Sequence, residues 1–162
     1  MIILAVDPGY DRLGIAILEK NKKEKLIFSE CFETNKDENI NIRMMRIGQR
    51  IREIIHLYEP EVLVIEGLFF SKNTKTALKV SESRGVILFQ ASDLGLDIYE
   101  YTPNQIKVAV TGYGRSTKSE VHTMVSRLID IGDEKKIDDE IDAIAIGLTF
   151  FASHRFQQKI EQ

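Results

Sequence analysis

The 162 residues carry 22 basic and 25 acidic side chains, a net charge of −3 and a pI near 5.7. A uniformly basic, nucleic-acid-binding surface is therefore excluded, and any such contact must come from a local patch. The length fits one domain over residues 1–162, with no Pro/Gly/Ser-rich seam to act as a linker. The lone Cys31 rules out an intramolecular disulfide and a Cys-rich zinc site. Without a basic leader, or any stretch near the about 20 apolar residues of a membrane span, the expectation is a cytoplasmic protein with no membrane segment.

The chain opens on Ile2-Ile3-Leu4-Ala5-Val6, a continuous apolar run that reads as a strand covered on both faces, and Asp7-Pro8-Gly9 ends it in a turn. Leu13 to Leu18 and Leu26 to Phe32 read as two further strands joined by a short charged turn, hence antiparallel neighbours. Between Ile40 and Tyr58, Ile47, Ile51, Ile54, Ile55 and Tyr58 recur at helical spacing, and Pro60 closes the segment. Val62-Leu63-Val64-Ile65 then forms a second buried strand; a crossover helix of the preceding length permits a parallel return. A helix over about Thr74 to Leu94, a strand over Asp97 to Tyr101 and a helix capped by Thr102-Pro103 follow. Thr117-x-x-Glu120 is a capping box for the next helix. The last helix carries Ile141, Ile144, Ala145, Leu148 and Phe151 on one stripe. This order predicts an α/β fold with a mixed five-stranded sheet flanked by helices.

Four acids fall where apolar surroundings should exclude them. Asp7 and Glu66 each end an all-apolar strand, and ligands bind at the carboxyl ends of central strands in α/β sheets. Asp7 before Pro-Gly also suits a plain turn; Glu66 lacks that turn chemistry and favours function. Asp139 and Asp142 open the last helix, where acids stabilise the macrodipole by about 0.3–1 kcal/mol whatever else they do. Two carboxylates about 4 Å apart repel by about 4 kcal/mol at an effective dielectric of about 20, so a convergent set needs protons or cations. Oxygen ligands without Cys or His suit Mg²⁺ or Mn²⁺. Two such ions about 3.5–4 Å apart activate a water and stabilise the leaving oxygen of a phosphodiester. The residues therefore point to a two-metal nuclease.

Several motifs run in a fixed order: Asp7-Pro8-Gly9 with Arg12 and Gly14, Ile65-Glu66 with Phe69 and Lys72-Asn73, Arg84-Gly85, and Pro103 with Ile106-Lys107. Val110-Thr111-Gly112-Tyr113-Gly114 with Lys118 and Asp139-x-x-Asp142-Ala143 complete the series. The set resembles the ribonuclease H-like nucleases and, within them, the RuvC-type Holliday junction resolvases. The resemblance covers residues 5 to about 150. It implies metal binding by Asp7, Glu66, Asp139 and Asp142, with two Mg²⁺ per site and Mn²⁺ as a substitute. It also implies a four-way junction as substrate and paired symmetric nicks made without a covalent enzyme intermediate. Helical register alone leaves Asp138 and Asp139 as alternatives; the resemblance selects Asp139. Glu140 and Ile141 depart from the small residues usual in that motif.

The resemblance also places Lys107 and Lys118 near the scissile phosphate, where a cation stabilises developing charge, and makes Phe69 a base-stacking wedge. Lys72, Lys75, Lys79 and Arg84 form a basic stretch with only one acid, Glu82, suited to phosphates, and Arg115 lies in a glycine-rich segment that suits either close approach to DNA or a plain surface loop. His56, His122 and His154 share no ligand spacing and are assigned no role. A two-fold junction calls for a homodimer, placed by the resemblance on the helix after Asn73 through Ala77, Leu78, Val80, Ile87 and Leu88. A RuvA–RuvB-type branch-migration complex is a further expected partner. Two rivals stay open: another ribonuclease H-like nuclease, such as one trimming precursor ribosomal RNA, and a catalytically silent branched-DNA-binding module.

Overall fold

Apolar runs and charged turns sort the chain into one sheet with helices on both sides. The structure, a computed structural model, describes residues 1–68 and 74–160; the side chains at 74, 75 and 155–160 fall outside that description. Strands β1 (Ile2–Asp7), β2 (Arg12–Lys20), β3 (Glu24–Glu33), β4 (Val62–Glu66) and β5 (Asp97–Tyr101) lie in the order β3-β2-β1-β4-β5. The first three pair antiparallel, while β4 returns parallel to β1 and β5 parallel to β4. Helix α1 (Ile40–Tyr58) supplies the crossover, followed by α2 (Thr74–Asp93), α3 (Pro103–Thr111), α4 (Lys118–Leu128) and α5 (Asp138–Ile160).

Strand alternation splits the core into two layers. Leu4, Val6, Ile15, Ile17, Leu63 and Ile65 point toward Ile47, Ile51 and Ile54 of α1 and Ile87 of α2. On the other face Ile3, Ala5, Ala16, Leu18, Val62 and Val64 meet Val121 and Val125 of α4 and Ile144, Phe150 and Phe151 of α5. With both sides covered, β1 and β4 have no polar face to show, which is why their runs are continuous. Among the described residues no helix is long and apolar enough to cross a membrane.

The observed β2 and β3 are longer than the apolar runs because Glu19 pairs with Lys25 and Lys20 with Glu24, carrying the ladder into the charged turn. The register shifts between Ile17, opposite Phe28, and Leu18, opposite Leu26. Ile27 falls in that irregularity and is left exposed. Both capping boxes form: Thr102 with Gln105 opens α3, and Thr117 with Glu120 opens α4.

Two glycines set how closely α5 approaches the sheet. A Cβ at Gly147 would lie 2.6 Å from Leu18 Cδ1, so the middle of α5 settles against β2. A Cβ at Gly14 would lie 2.1 Å from the Asp139 carbonyl oxygen and 3.2 Å from Asp7 Cβ. Gly14 pairs with Asp7 across β1 and β2; its missing side chain lets the first turn of α5 reach the end of β1.

Candidate active site

Parallel pairing of β1 with β4, with Val6 opposite Ile65, brings Asp7 and Glu66 out at the same sheet edge. The start of α5 delivers Asp139, in its first turn, and Asp142, in its second, to that edge, and the first residue of α4 delivers Lys118. Asp7, Glu66, Asp142, Lys107 and Lys118 line a cavity of about 200 Å³ whose apolar wall includes Ile106 and Val121. A larger groove of about 850 Å³ between α1 and α2 shares no residue with it and is mostly apolar; the sequence-predicted acids and lysines lie in the smaller cavity.

Charge crowding shows in the protonation of the strand acids. Burial, then the negative charges of Glu66, Asp142 and Asp139, push Asp7 up to about 7, with Lys118 opposing. Glu66 is raised by burial and then by Asp142, again opposed by Lys118. The helix acids are paired instead. Arg12 Nη2 lies 2.6 Å from Asp139 Oδ2, and Lys118 Nζ 2.7 Å from Asp142 Oδ2. Although burial works against its charge, contact with Asp142 and the nearby Asp138 and Asp139 raises the Lys118 ammonium.

Asp138 and Asp139 separate clearly. Asp138 is 68% exposed and faces Lys118 at 3.6 Å. Asp139 is 24% exposed, and its charge, unlike that of Asp138, contributes to the shift at Asp7. Glu140 acts on the helix itself. Its carboxylate accepts hydrogen bonds from Ile137 N at 3.0 Å and Ser29 Oγ at 2.7 Å, tying the start of α5 to β3. Those bonds and Lys136 outweigh its burial and hold its carboxyl below the usual range.

The turn after Asp7 is pinned from two helices. Buried Arg43 of α1 donates to Thr34 Oγ1 and to the Tyr10 carbonyl and pairs with Asp11. Ser83 of α2, fully buried, donates to the Gly9 carbonyl at 2.9 Å. Lys79 is exposed, with its Nζ 5.2 Å from the centre of the Tyr10 ring. Arg115 is exposed in the loop between α3 and α4.

Arg84 departs from the expected exposed basic stretch. Its side chain is 13% exposed, with Nη2 2.5 Å from Glu100 Oε2 and Nε donating to the Glu66 carbonyl at 3.4 Å. The guanidinium is committed beneath the β4 terminus by an acid from the neighbouring strand. The apolar surplus expected on α2 is also redistributed: Ile87 is fully buried and Leu88 packs on the same core, whereas Leu78 and Phe89 are more than 60% exposed. Phe69, Lys72 and the Lys75 side chain lie outside the described residues.

Sequence reasoning assigned no role to His122, yet its Nε2 lies 2.9 Å from Asp142 Oδ1. Its position four residues after Lys118, on the same helical face, was the available signal. The partnership of Arg12 with Asp139 has no local sequence signal, because only the strand pairing brings residue 12 beside the last helix.

The donor set fits a hard divalent cation: all its acids are oxygen donors, and the strand pair lies in an excess of negative charge. As the side chains stand, no three His, Cys, Asp or Glu groups among the described residues converge closely enough to hold a metal ion. Arg12 and Lys118 occupy the helix acids in that arrangement.

A mixed sheet in this order, with acids ending its two central strands and a helix bringing two more, defines a nuclease of the ribonuclease H-like class. The family model described as "Crossover junction endodeoxyribonuclease RuvC" matches residues 3–150, and the chain belongs to that family. It is 42% identical over 161 residues to the crossover junction endodeoxyribonuclease RuvC of Halothermothrix orenii, covering 98% of this chain and 97% of that one. The Caldicellulosiruptor saccharolyticus protein of the same name is 41% identical over 155 residues, covering 94% and 93%. The solved structure of T. thermophilus RuvC in complex with Holliday junction substrate matches with a TM-score of 0.90 at 31% identity, covering 97% of this chain and 96% of that chain.

Proposed function

We propose that the protein is a metal-dependent Holliday junction resolvase, a single nuclease domain that makes paired symmetric nicks in four-way DNA junctions. The observation that carries this reading is the crowding of Asp7 and Glu66 at one sheet edge, beside Asp139, Asp142 and Lys118, which leaves the strand acids short of positive charge. Asp7, Glu66, Asp139 and Asp142 would hold two Mg²⁺ ions, with Mn²⁺ as a substitute. When bound, such a pair supplies an activated water and neutralises the leaving oxygen of the phosphodiester.

The remaining roles belong to the chain's own groups. Lys118 turns from Asp142 toward the scissile phosphate and stabilises its developing charge, with Lys107 beside it in the cavity. Lys79, exposed over the Tyr10 ring, and Arg115, exposed in the loop before α4, contact backbone phosphates of the arms, as do Lys72 and Lys75. Arg84 supports Glu66 from below. Phe69 stacks on bases at the opened crossover. The junction-bound relative, 31% identical over nearly the whole chain, supports the choice of substrate.

A junction with approximate two-fold symmetry is cut at matched positions by a C₂ homodimer. Leu78 and Phe89, exposed on α2, supply apolar surface for that contact. A RuvA–RuvB-type branch-migration complex is the expected partner in the cytoplasm.

The test is cleavage of a synthetic four-way junction labelled on each arm, with Mg²⁺ or Mn²⁺ and with Asp7→Asn as control. Paired symmetric nicks that vanish in the variant are expected. Tight junction binding without metal-dependent cleavage would replace this reading with a binding module, and cutting of RNA alone would replace it with a ribonuclease.

A further inference from the structure

Helix α4 presents two polar side chains to the start of α5. Lys118 and His122 stand four residues apart, on one helical face, and each holds a different oxygen of Asp142. Lys118 Nζ lies 2.7 Å from Oδ2, and His122 Nε2 lies 2.9 Å from Oδ1. A carboxylate only accepts, so the imidazole donates from Nε2. Asp138, the other acid facing the ring, stands 3.8 Å from Nδ1, outside hydrogen-bond distance. The hydrogen bond that the ring makes across to α5 is thus the one to Asp142.

The two partners differ in mobility. Lys118 carries its ammonium on a flexible four-carbon stem, is 54% exposed and lines the cavity shared with Asp7 and Glu66. His122 is 17% exposed, turns about only two side-chain bonds, and belongs to a helix anchored in the core by Val121 and Val125. Lysine can leave the carboxylate for a phosphate; the ring cannot follow. A carboxylate held at both oxygens in the metal-free protein would, on losing lysine, still be held at one.

We propose that His122 is a positioning residue for the metal site: it fixes Oδ1 of Asp142, so that Oδ2, the oxygen now shared with Lys118, stays directed at the cavity. This rests on the reading of Asp142 as a metal ligand. Groups that orient a ligating carboxylate through a hydrogen bond set metal affinity without touching the ion, and their loss typically weakens binding by about 10–100-fold. The role requires a donor at the end of a short, fixed side chain, and so places α4 in the site through two residues with separate tasks: Lys118 exchanges partners and His122 does not.

The experiment follows Mn²⁺ binding to the DNA-free protein through loss of the free-ion electron paramagnetic resonance signal, with the metal-free melting temperature recorded in parallel. His122→Ala and His122→Phe are expected to bind Mn²⁺ about 10–100-fold more weakly, while His122→Gln, which keeps an N–H donor, stays within about threefold. His122→Phe fills the space of the ring, so a folding defect in the alanine variant leaves the test intact. A purely structural role would lower the melting temperature and leave affinity in the folded fraction unchanged. Unchanged Mn²⁺ affinity in His122→Phe, or equal losses in the Gln and Phe variants, would overturn the proposal. Asp7→Asn separates the two levels. If it binds Mn²⁺ as the parent protein does, the metal-site reading itself fails; if it loses the ion while His122→Phe keeps it, only the role of His122 fails.

Discussion

The two acids that end strands and the two that begin the last helix share one site but are held by opposite physics. Asp7 and Glu66 are placed by the sheet, make no ion pair among the described residues, and hold their protons to higher pH than ordinary carboxylates. Asp139 and Asp142 are placed by a helix terminus, and each carries a cation at hydrogen-bond distance, Arg12 and Lys118 respectively. The positive end of the α5 dipole favours the second pair further. The deficit of positive charge therefore lies at the strand edge, and the helix pair carries exchangeable compensation. On the proposed reading, the strand pair would create the demand for a metal and the helix pair would meet it by giving up side-chain cations.

The most severe way to break this contrast is to neutralise one acid of each kind. Glu66→Gln and Asp139→Asn should each slow single-turnover cleavage by about a thousand-fold or more, equivalent to about 4 kcal/mol of transition-state stabilisation. Junction binding without metal should persist, or strengthen slightly as negative charge is removed. If Glu66→Gln cleaved normally while Asp139→Asn did not, the demand would have to be relocated to the helix.

A smaller effect sharpens the contrast through pH. Asp7, raised from 3.8 to about 7, keeps in the folded metal-free protein a proton that the unfolded chain gives up. Its contribution to stability is fully present below about pH 4 and is lost as the pH rises through about 7, since the folded state binds more protons across that window. Glu66 is shifted in the same direction. In EDTA, the melting temperature should therefore fall between about pH 5 and about pH 8 by several degrees, and Asp7→Asn should flatten the decline. An identical slope in the variant would place the titration elsewhere.

The same division governs how much of the molecule is legible in its sequence. Asp7 and Glu66 are legible because a carboxylate closing a continuous apolar run is costly to bury unless it has a cation to meet. The strands themselves, α1 and the caps at Thr102 and Thr117 are legible because each is written in a local pattern. The sheet order β3-β2-β1-β4-β5 is not a local property, and only the family resemblance implies it. On spacing alone Asp139 and Asp142 are no better than macrodipole residues, and the hydrogen bond that caps the helix start belongs to Glu140. A basic stretch does not say which face each cation takes, so Arg84 reads as exposed until Glu100, on the neighbouring strand, claims it. His122 is illegible because its partner lies on the next helix, reached only when α4 packs on α5.

The finest test separates neighbours on one turn. Asp138 and Asp139 are adjacent acids at the same helix end, and macrodipole arguments treat them alike. Their surroundings do not. Asp138 is 68% exposed, and its contacts with Lys118 at 3.6 Å and His122 at 3.8 Å are loose; an ion pair so open to solvent contributes about 0–1 kcal/mol. Asp139 packs its backbone against Gly14 and adds to the field that raises Asp7. Asp138→Asn should therefore change single-turnover cleavage by no more than about threefold, under about 0.7 kcal/mol. A loss as deep as that of Asp139→Asn would mean that the first turn of α5 rotates on loading, exchanging the acid that meets Asp7. Gly14 opposes such a rotation, because the close approach it permits locks the Asp139 carbonyl against β2 and fixes which side chain faces the strand pair.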